Sequence, residues 1–70
     1  MIKKRFKIKR QNINIVQFII EGYEGMATVT TIDPREAVIQ VSIMPDYFQE
    51  ISNIMENLKN KYPLEEIIDY

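Results

Sequence analysis

Cysteine and histidine are both absent from the chain, and tryptophan with them. Without cysteine there is no disulfide, no thiolate metal site and no thiol nucleophile. Without histidine the usual neutral-pH proton shuttle and the commonest metal ligand are missing, and Ser42 and Ser52 have no partner for a Ser-His-Asp arrangement. Only two glycines and three prolines punctuate the 70 residues, so there is no linker, repeat or low-complexity stretch. No apolar run approaches the 18 residues of a membrane span. Lysines interrupt the apolar residues of the N-terminus, which excludes the apolar segment of a secretory signal. The expectation is a cytoplasmic protein with no membrane association.

What remains is 46% apolar and 27% charged, an ordinary globular balance. The length suits one domain over residues 1–70, with a core small enough for marginal stability. A domain this size rarely encloses a pocket able to desolvate and tune a carboxylate pair. The expected protein is therefore not an enzyme, and it needs no cofactor and no metal.

Net charge is −1, but the signs are segregated. Lys3, Lys4, Arg5, Lys7, Lys9 and Arg10 hold six of the nine basic groups, while residues 11–70 carry three basic against ten acidic, or −7. In residues 2–9, Ile2, Phe6 and Ile8 share one parity; Lys3, Arg5, Lys7 and Lys9 share the other. That period of two is a strand with an apolar and a basic face, which Lys4 interrupts.

Residues 12–23 admit two readings. Ile15, Val16, Ile19, Ile20 and Tyr23 recur at helical spacing, Asn12 suits an N-cap, and Gly22 and Gly25 stand where a helix would end. Asn-Ile alternation and isoleucine propensity favour a strand. Helix is the expectation. Residues 26–32 and 37–44 form a hairpin across Asp33-Pro34-Arg35-Glu36. A helix over about 46–61 follows: Asp46 and Gln49 make a capping-box pattern, and Phe48, Ile51, Ile54, Met55, Leu58 and Tyr62 form the apolar stripe. Pro63 stops it, and Ile67 and Ile68 in the tail of residues 64–70 suit a last edge strand or a segment docked on the core. This order predicts an α+β fold: a ferredoxin-like β-α-β-β-α(-β) two-layer sandwich, its antiparallel sheet covered on one face by two helices. The alternative is a four-stranded meander with one C-terminal helix.

The stretch from Phe18 to Pro34, with its Glu-Gly-Tyr-Glu-Gly block and Thr-Ile-Asp-Pro turn, resembles the central part of a small uncharacterised family of bacterial domains of unknown function. Its members are about this long and commonest in clostridia-like bacteria. More loosely, helix–Gly–strand–turn–strand–helix is similar to ACT-type regulatory domains. That resemblance implies a small-metabolite module working as a homodimer, with a ligand-contacting glycine near Gly25; the ACT ligand motif itself is not readable here.

Three candidate sites follow. Glu21, Tyr23 and Gly25 read as a weak ligand loop or, more blandly, as a helix C-terminus. Lys3, Arg5, Lys7 and Lys9, beside Thr28, Thr30, Gln40 and Ser42 on one sheet face, suit nucleic-acid phosphates, though that face has no aromatic for base stacking. Glu65, Glu66 and Asp69 lack the alternating loop of a cation site and read as solvated surface. Thirteen isoleucines exceed the needs of a single helix-on-sheet layer. By parity Ile32, Val38, Met26 and Met44 fall on the open sheet face or its ends, so homodimerisation through the sheet or its edge is expected.

Overall fold

The alternation in the first strand sets the architecture. In the computed structural model, which describes residues 1–68, β1 (Ile2–Ile8) sits inside a four-stranded sheet of order β2-β3-β1-β4. The other strands are β2 (Ala27–Asp33), β3 (Val38–Ile43) and β4 (Leu64–Ile67), with α1 (Ile13–Glu21) and α2 (Phe48–Lys61) between them. All neighbouring strands are antiparallel. Hence β1 runs parallel to β2 with β3 inserted between them, and β3 runs parallel to β4 with β1 inserted. Each helix spans one such split pair, giving the β-α-β-β-α-β order expected from the sequence. The tail's last strand is real but ends at Ile67; Asp69 and Tyr70 lie outside the described residues.

The register places Phe6 opposite Ile39 and Glu66, and Lys4 opposite Val41. Side chains on one sheet face therefore include Phe6, Ile8, Val29, Ile39, Val41 and Ile43, all buried. Val16 and Ile20 from α1 and Ile51, Met55 and Leu58 from α2 complete this core. Lys4, which interrupts the inner face, keeps its stem at the rim. Its ammonium lies 3.6 Å from Glu66 and 5.4 Å from the centre of the Phe48 ring, so its charge stays partnered and partly wet.

Residues 13–21 are helical even though isoleucine and asparagine are poor helix formers. Tertiary burial decides it: a helix lets Val16 and Ile20 both reach zero exposure over the sheet. Two details of the helix ends depart from the sequence reading. Asp46 does not cap α2. It lies inside a 3₁₀ turn, Pro45–Tyr47, with Tyr47 at the N-cap and no side-chain cap bond. Pro45 starts that turn with its preset φ, which moves the helix start two residues on, and Gln49 donates instead to Asn53 at 3.3 Å. Asn12 occupies the N-cap of α1 but also makes no side-chain cap bond, because the 3₁₀ turn Arg10–Asn12 leads straight into the helix.

The hairpin turn forms as its sequence dictates. Asp33 Oδ1 accepts from the backbone N–H of Arg35 at 3.0 Å and of Glu36 at 3.2 Å, the bond-back that favours Asp at this position. Ala37 belongs to the turn rather than to β3. Its φ of +55° is left-handed, a conformation costing a non-glycine residue about 1 kcal/mol. The strain is held by burial of its methyl and by a 3.0 Å bond from Ile8 N–H to its carbonyl.

Ser52 Oγ is enclosed without a protein partner beside a cavity of about 40 Å³ that Lys4, Phe6, Glu56 and Glu66 help to line, roomy and polar enough for one water. Ser52→Ala removes the hydroxyl together with the group that would hydrate it and is expected to move the melting temperature by less than about 4 °C, the shift that roughly 1 kcal/mol produces in a domain of this size. Ile51→Ala, at a fully enclosed position, is expected to cost about 2–5 kcal/mol, enough to leave most of the chain unfolded at 37 °C by circular dichroism.

Candidate functional site

The turn after α1 carries the first set of sequence candidates, and its three residues serve three different surroundings. Gly22 ends the helix with an ordinary helical φ of −64°. Tyr23 to Met26 then turn back, with a 3.1 Å bond from Met26 N–H to the Tyr23 carbonyl. Gly25 holds φ +76° at the third position, the left-handed place that type II turns reserve for glycine. A Cβ there would meet nothing within 4 Å. Gly25 is required by backbone conformation, not by anything pressed against it.

Glu21 leaves this turn altogether. Its Oε2 accepts the backbone N–H of Val29 at 3.1 Å, and Oε1 lies 3.4 Å from Gln17 Nε2. Strand β2 is a sheet edge, and Val29 N–H faces outward from it. An exposed N–H on an edge invites pairing with another chain. The carboxylate fills that position and ties the end of α1 to β2.

Tyr23 stands over a groove between α1 and the C-terminal half of α2. Ile19 and Tyr23 form one wall; Ile54, Leu58 and Tyr62 form the other, and Asn57 and Lys61 supply its polar groups. The groove measures about 220 Å³. Lys61 Nζ lies 5.7 Å from the centre of the Tyr62 ring, close enough for a cation–π contact. Periodicity assigned Ile54, Leu58 and Tyr62 to the apolar stripe of α2, but their convergence with Tyr23, more than thirty positions away, has no signal in the sequence.

The second set does share a surface. Register places Lys3 beside Ser42, Arg5 between Gln40 and Ile67, and Lys7 between Val38 and Glu65, with Thr28 and Thr30 one strand further. Arg5 Nε donates to Gln40 Oε1 at 3.0 Å, and Lys7 Nζ lies 3.3 Å from Glu36. Lys9 follows the strand and lines a shallow groove of about 520 Å³ with Lys7, Ile8, Lys59, Leu64 and Glu65. Lys59, which comes from α2, joins this end of the basic surface unannounced by sequence; its ammonium is 3.1 Å from Glu56. The acids Glu36 and Glu65 thus dilute the basic row. Glu66 turns to the other sheet face and pairs with Lys4, apart from Glu65. Among the described residues no three aspartates or glutamates converge as a metal site would require.

Of the four apolar residues that parity placed on the open face or its ends, Met26 alone packs against the core. Val38 lies opposite Lys7 on the open face, where its neighbours leave it only 1% exposed. Ile32, at the bulge between Thr31 and Asp33, and Met44 are each partly exposed. The most exposed large apolar residues among those described are Ile68, just after β4, at 82%, and Phe18, on α1, at 76%.

A two-layer α+β domain with one enclosed core and several shallow surface grooves is the class these features define. The chain belongs to the family described as "Domain of unknown function (DUF4911)", whose model matches residues 6–61, from the middle of β1 to the end of α2. No curated protein and no solved structure matches it. No helix among the described residues is long and apolar enough to cross a membrane.

The Glu21 bond generates a prediction. Glu21→Ala leaves Val29 N–H uncovered and is expected to cost about 1 kcal/mol, while promoting concentration-dependent aggregation through β2. Light scattering and chemical denaturation measure the two effects. Glu21→Gln, which retains an accepting oxygen, is expected to retain most of the stability.

Proposed function

We propose that the chain is a non-enzymatic binding module whose ligand occupies the groove between α1 and α2. The observation that carries this reading is the pair Tyr23 and Tyr62 flanking an apolar floor, with Lys61 and Asn57 at its margin. Ligand sites are typically concave and mostly apolar, with a few placed polar groups. At about 220 Å³ the groove is smaller than the roughly 300–1,000 Å³ of drug-sized sites. It holds the equivalent of about seven waters at ~30 Å³ each. The ligand class is therefore a compact carboxylate with an aliphatic or aromatic body, such as a free amino acid. Its apolar part would lie against Ile19, Ile54 and Leu58, and its carboxylate would face the Lys61 ammonium. This supports an ACT-like, small-metabolite role for a member of the family. It keeps Tyr23 of the expected ligand loop and replaces Glu21 and Gly25 with residues of α2.

The second reading is nucleic-acid contact through Lys3, Arg5, Lys7 and Lys9. Their shared face supports it; the neighbouring Glu36 and Glu65, and the absence of aromatics at the open positions of β1, β2 and β3, weigh against it.

The two readings separate in one titration series. Amide and methyl resonances are followed while free amino acids and short aryl or alkyl carboxylates are added to millimolar concentration, then a single-stranded oligonucleotide at low salt. The groove reading expects shifts at Ile19, Tyr23, Ile54 and Tyr62 with some carboxylates, weakened at least fivefold by Lys61→Met. No groove response to any of them sinks it. Oligonucleotide shifts at Lys3, Arg5 and Lys7 that fade with added salt would transfer the assignment to the basic face.

A further inference from the structure

Among the described residues the most exposed aromatic side chain, Phe18, stands on the outer side of α1. Six of its nine residues are Ile, Val or Phe. Val16 and Ile20 are enclosed, and Ile13 and Ile19 pack at the margin of the core. Phe18 is left 76% exposed and Ile15 38%. At 3.6 residues per turn, Phe18 points about 160° away from both Val16 and Ile20. No rotamer can bring it into the core its helix already serves. Ile15 and Phe18, three apart and so on one side of the helix, form a second apolar strip beside Asn14, Gln17 and Glu21, and the chain's own elements leave it uncovered.

The charges around this stripe are as informative as its apolarity. Gln11 to Ile20 carry no charge at all, in a chain where 27% of residues do. Charge returns at both ends with opposite sign: Lys9 and Arg10 before the helix, Glu21 and Glu24 at and after its end. All four are exposed; Arg10 is held toward the Arg35 carbonyl and Glu21 toward Val29 N–H, which leaves Lys9 and Glu24 as the pair best placed to reach across to a neighbour. A neutral stripe with a cation at one end and an anion at the other is complementary to itself when turned end for end.

We propose that a second copy of the chain covers α1, through antiparallel pairing of the two α1 helices about a twofold axis. Ile15 of each copy then packs near the partner's Phe18, and Lys9 of each lies toward the partner's Glu24. The two helix dipoles oppose, as they should in close pairing. A twofold contact of this kind uses one patch twice and closes after two copies. One short helix face buries less than the roughly 800 Å² per partner of a standard interface, so the dimer dissociates in the micromolar range. The groove between α1 and α2 lies on another side of α1, and the pairing does not depend on its holding a ligand.

Sedimentation equilibrium between about 5 and 300 µM tests the proposal. The wild-type chain is expected to move from its 8.3 kDa monomer mass toward twice that value. Phe18→Glu is expected to weaken association at least tenfold with an unchanged circular dichroism spectrum; Phe18→Ala serves if the charged variant loses structure. Thr30→Glu, on the open sheet face, is expected to leave association unchanged. Glu24→Lys should weaken it severalfold, and adding Lys9→Glu to that variant should restore it. A monomer across the whole range overturns the proposal. So does a dimer indifferent to Phe18 or broken by Thr30→Glu, and failure of the paired charge reversal to recover association overturns the antiparallel arrangement.

Discussion

Phe6 and Ile8 stand beneath the helices while Lys3, Arg5 and Lys7 stand on the reverse of the sheet. Because β1 has a neighbour on each side, this division admits a single register. Slipping the strand by one residue would bury Arg5 and Lys7 in the core and expose Phe6 to water, at a cost far above the stability of so small a domain. The rest of the chain accommodates that constraint. β3 brings Ile39, Val41 and Ile43 to the dry side, and the two helices close over it. Lys4, the one basic residue of β1 with inner parity, is accommodated at the rim by Glu66 and Phe48.

Much of this fold was legible because its signals are local and periodic. The alternation of β1, the stripe of α2 and the Asp-Pro turn each specify an element within a few residues of themselves. α1 was harder, since propensity and periodicity disagreed from Asn12 to Ile20, and only the burial of Val16 and Ile20 against a sheet made later in the chain decides between them. The start of α2 was misread for a different reason. Asp46 and Gln49 have the spacing of a capping box, but Pro45 opens a 3₁₀ turn that places Asp46 inside it.

The candidate site was legible only in fragments. Tyr23 was singled out in the sequence and lines a groove in the structure, but its companions there, Ile54, Leu58 and Tyr62, come from beyond two intervening strands. Glu21 was grouped with it by adjacency, whereas its bond to Val29 N–H depends on β2 being an edge. Strand order is a property of the whole topology, so a carboxylate whose work is to mask an edge looks like any other acid in a turn. The basic face fared better: period-two parity on β1, β2 and β3 was enough to bring Lys3, Arg5, Gln40, Ser42, Thr28 and Thr30 together. Its dilution by Glu36 and Glu65 required the register. Parity also failed to anticipate Phe18, because it accounts for strands and the unburied residue is on a helix.

The position of β1 has a further consequence for how the sheet closes. Its two neighbours, β3 and β4, pair with it at sequence separations of more than thirty and more than fifty positions, so the centre of the sheet cannot form from adjacent segments. The entropy of closing those loops must be met before the contacts reward the chain. Until both partners arrive, the isoleucines and phenylalanine of β1 stay wet in an extended segment, and the lysines and arginines woven between them keep that segment apart from others by repulsion and hydration.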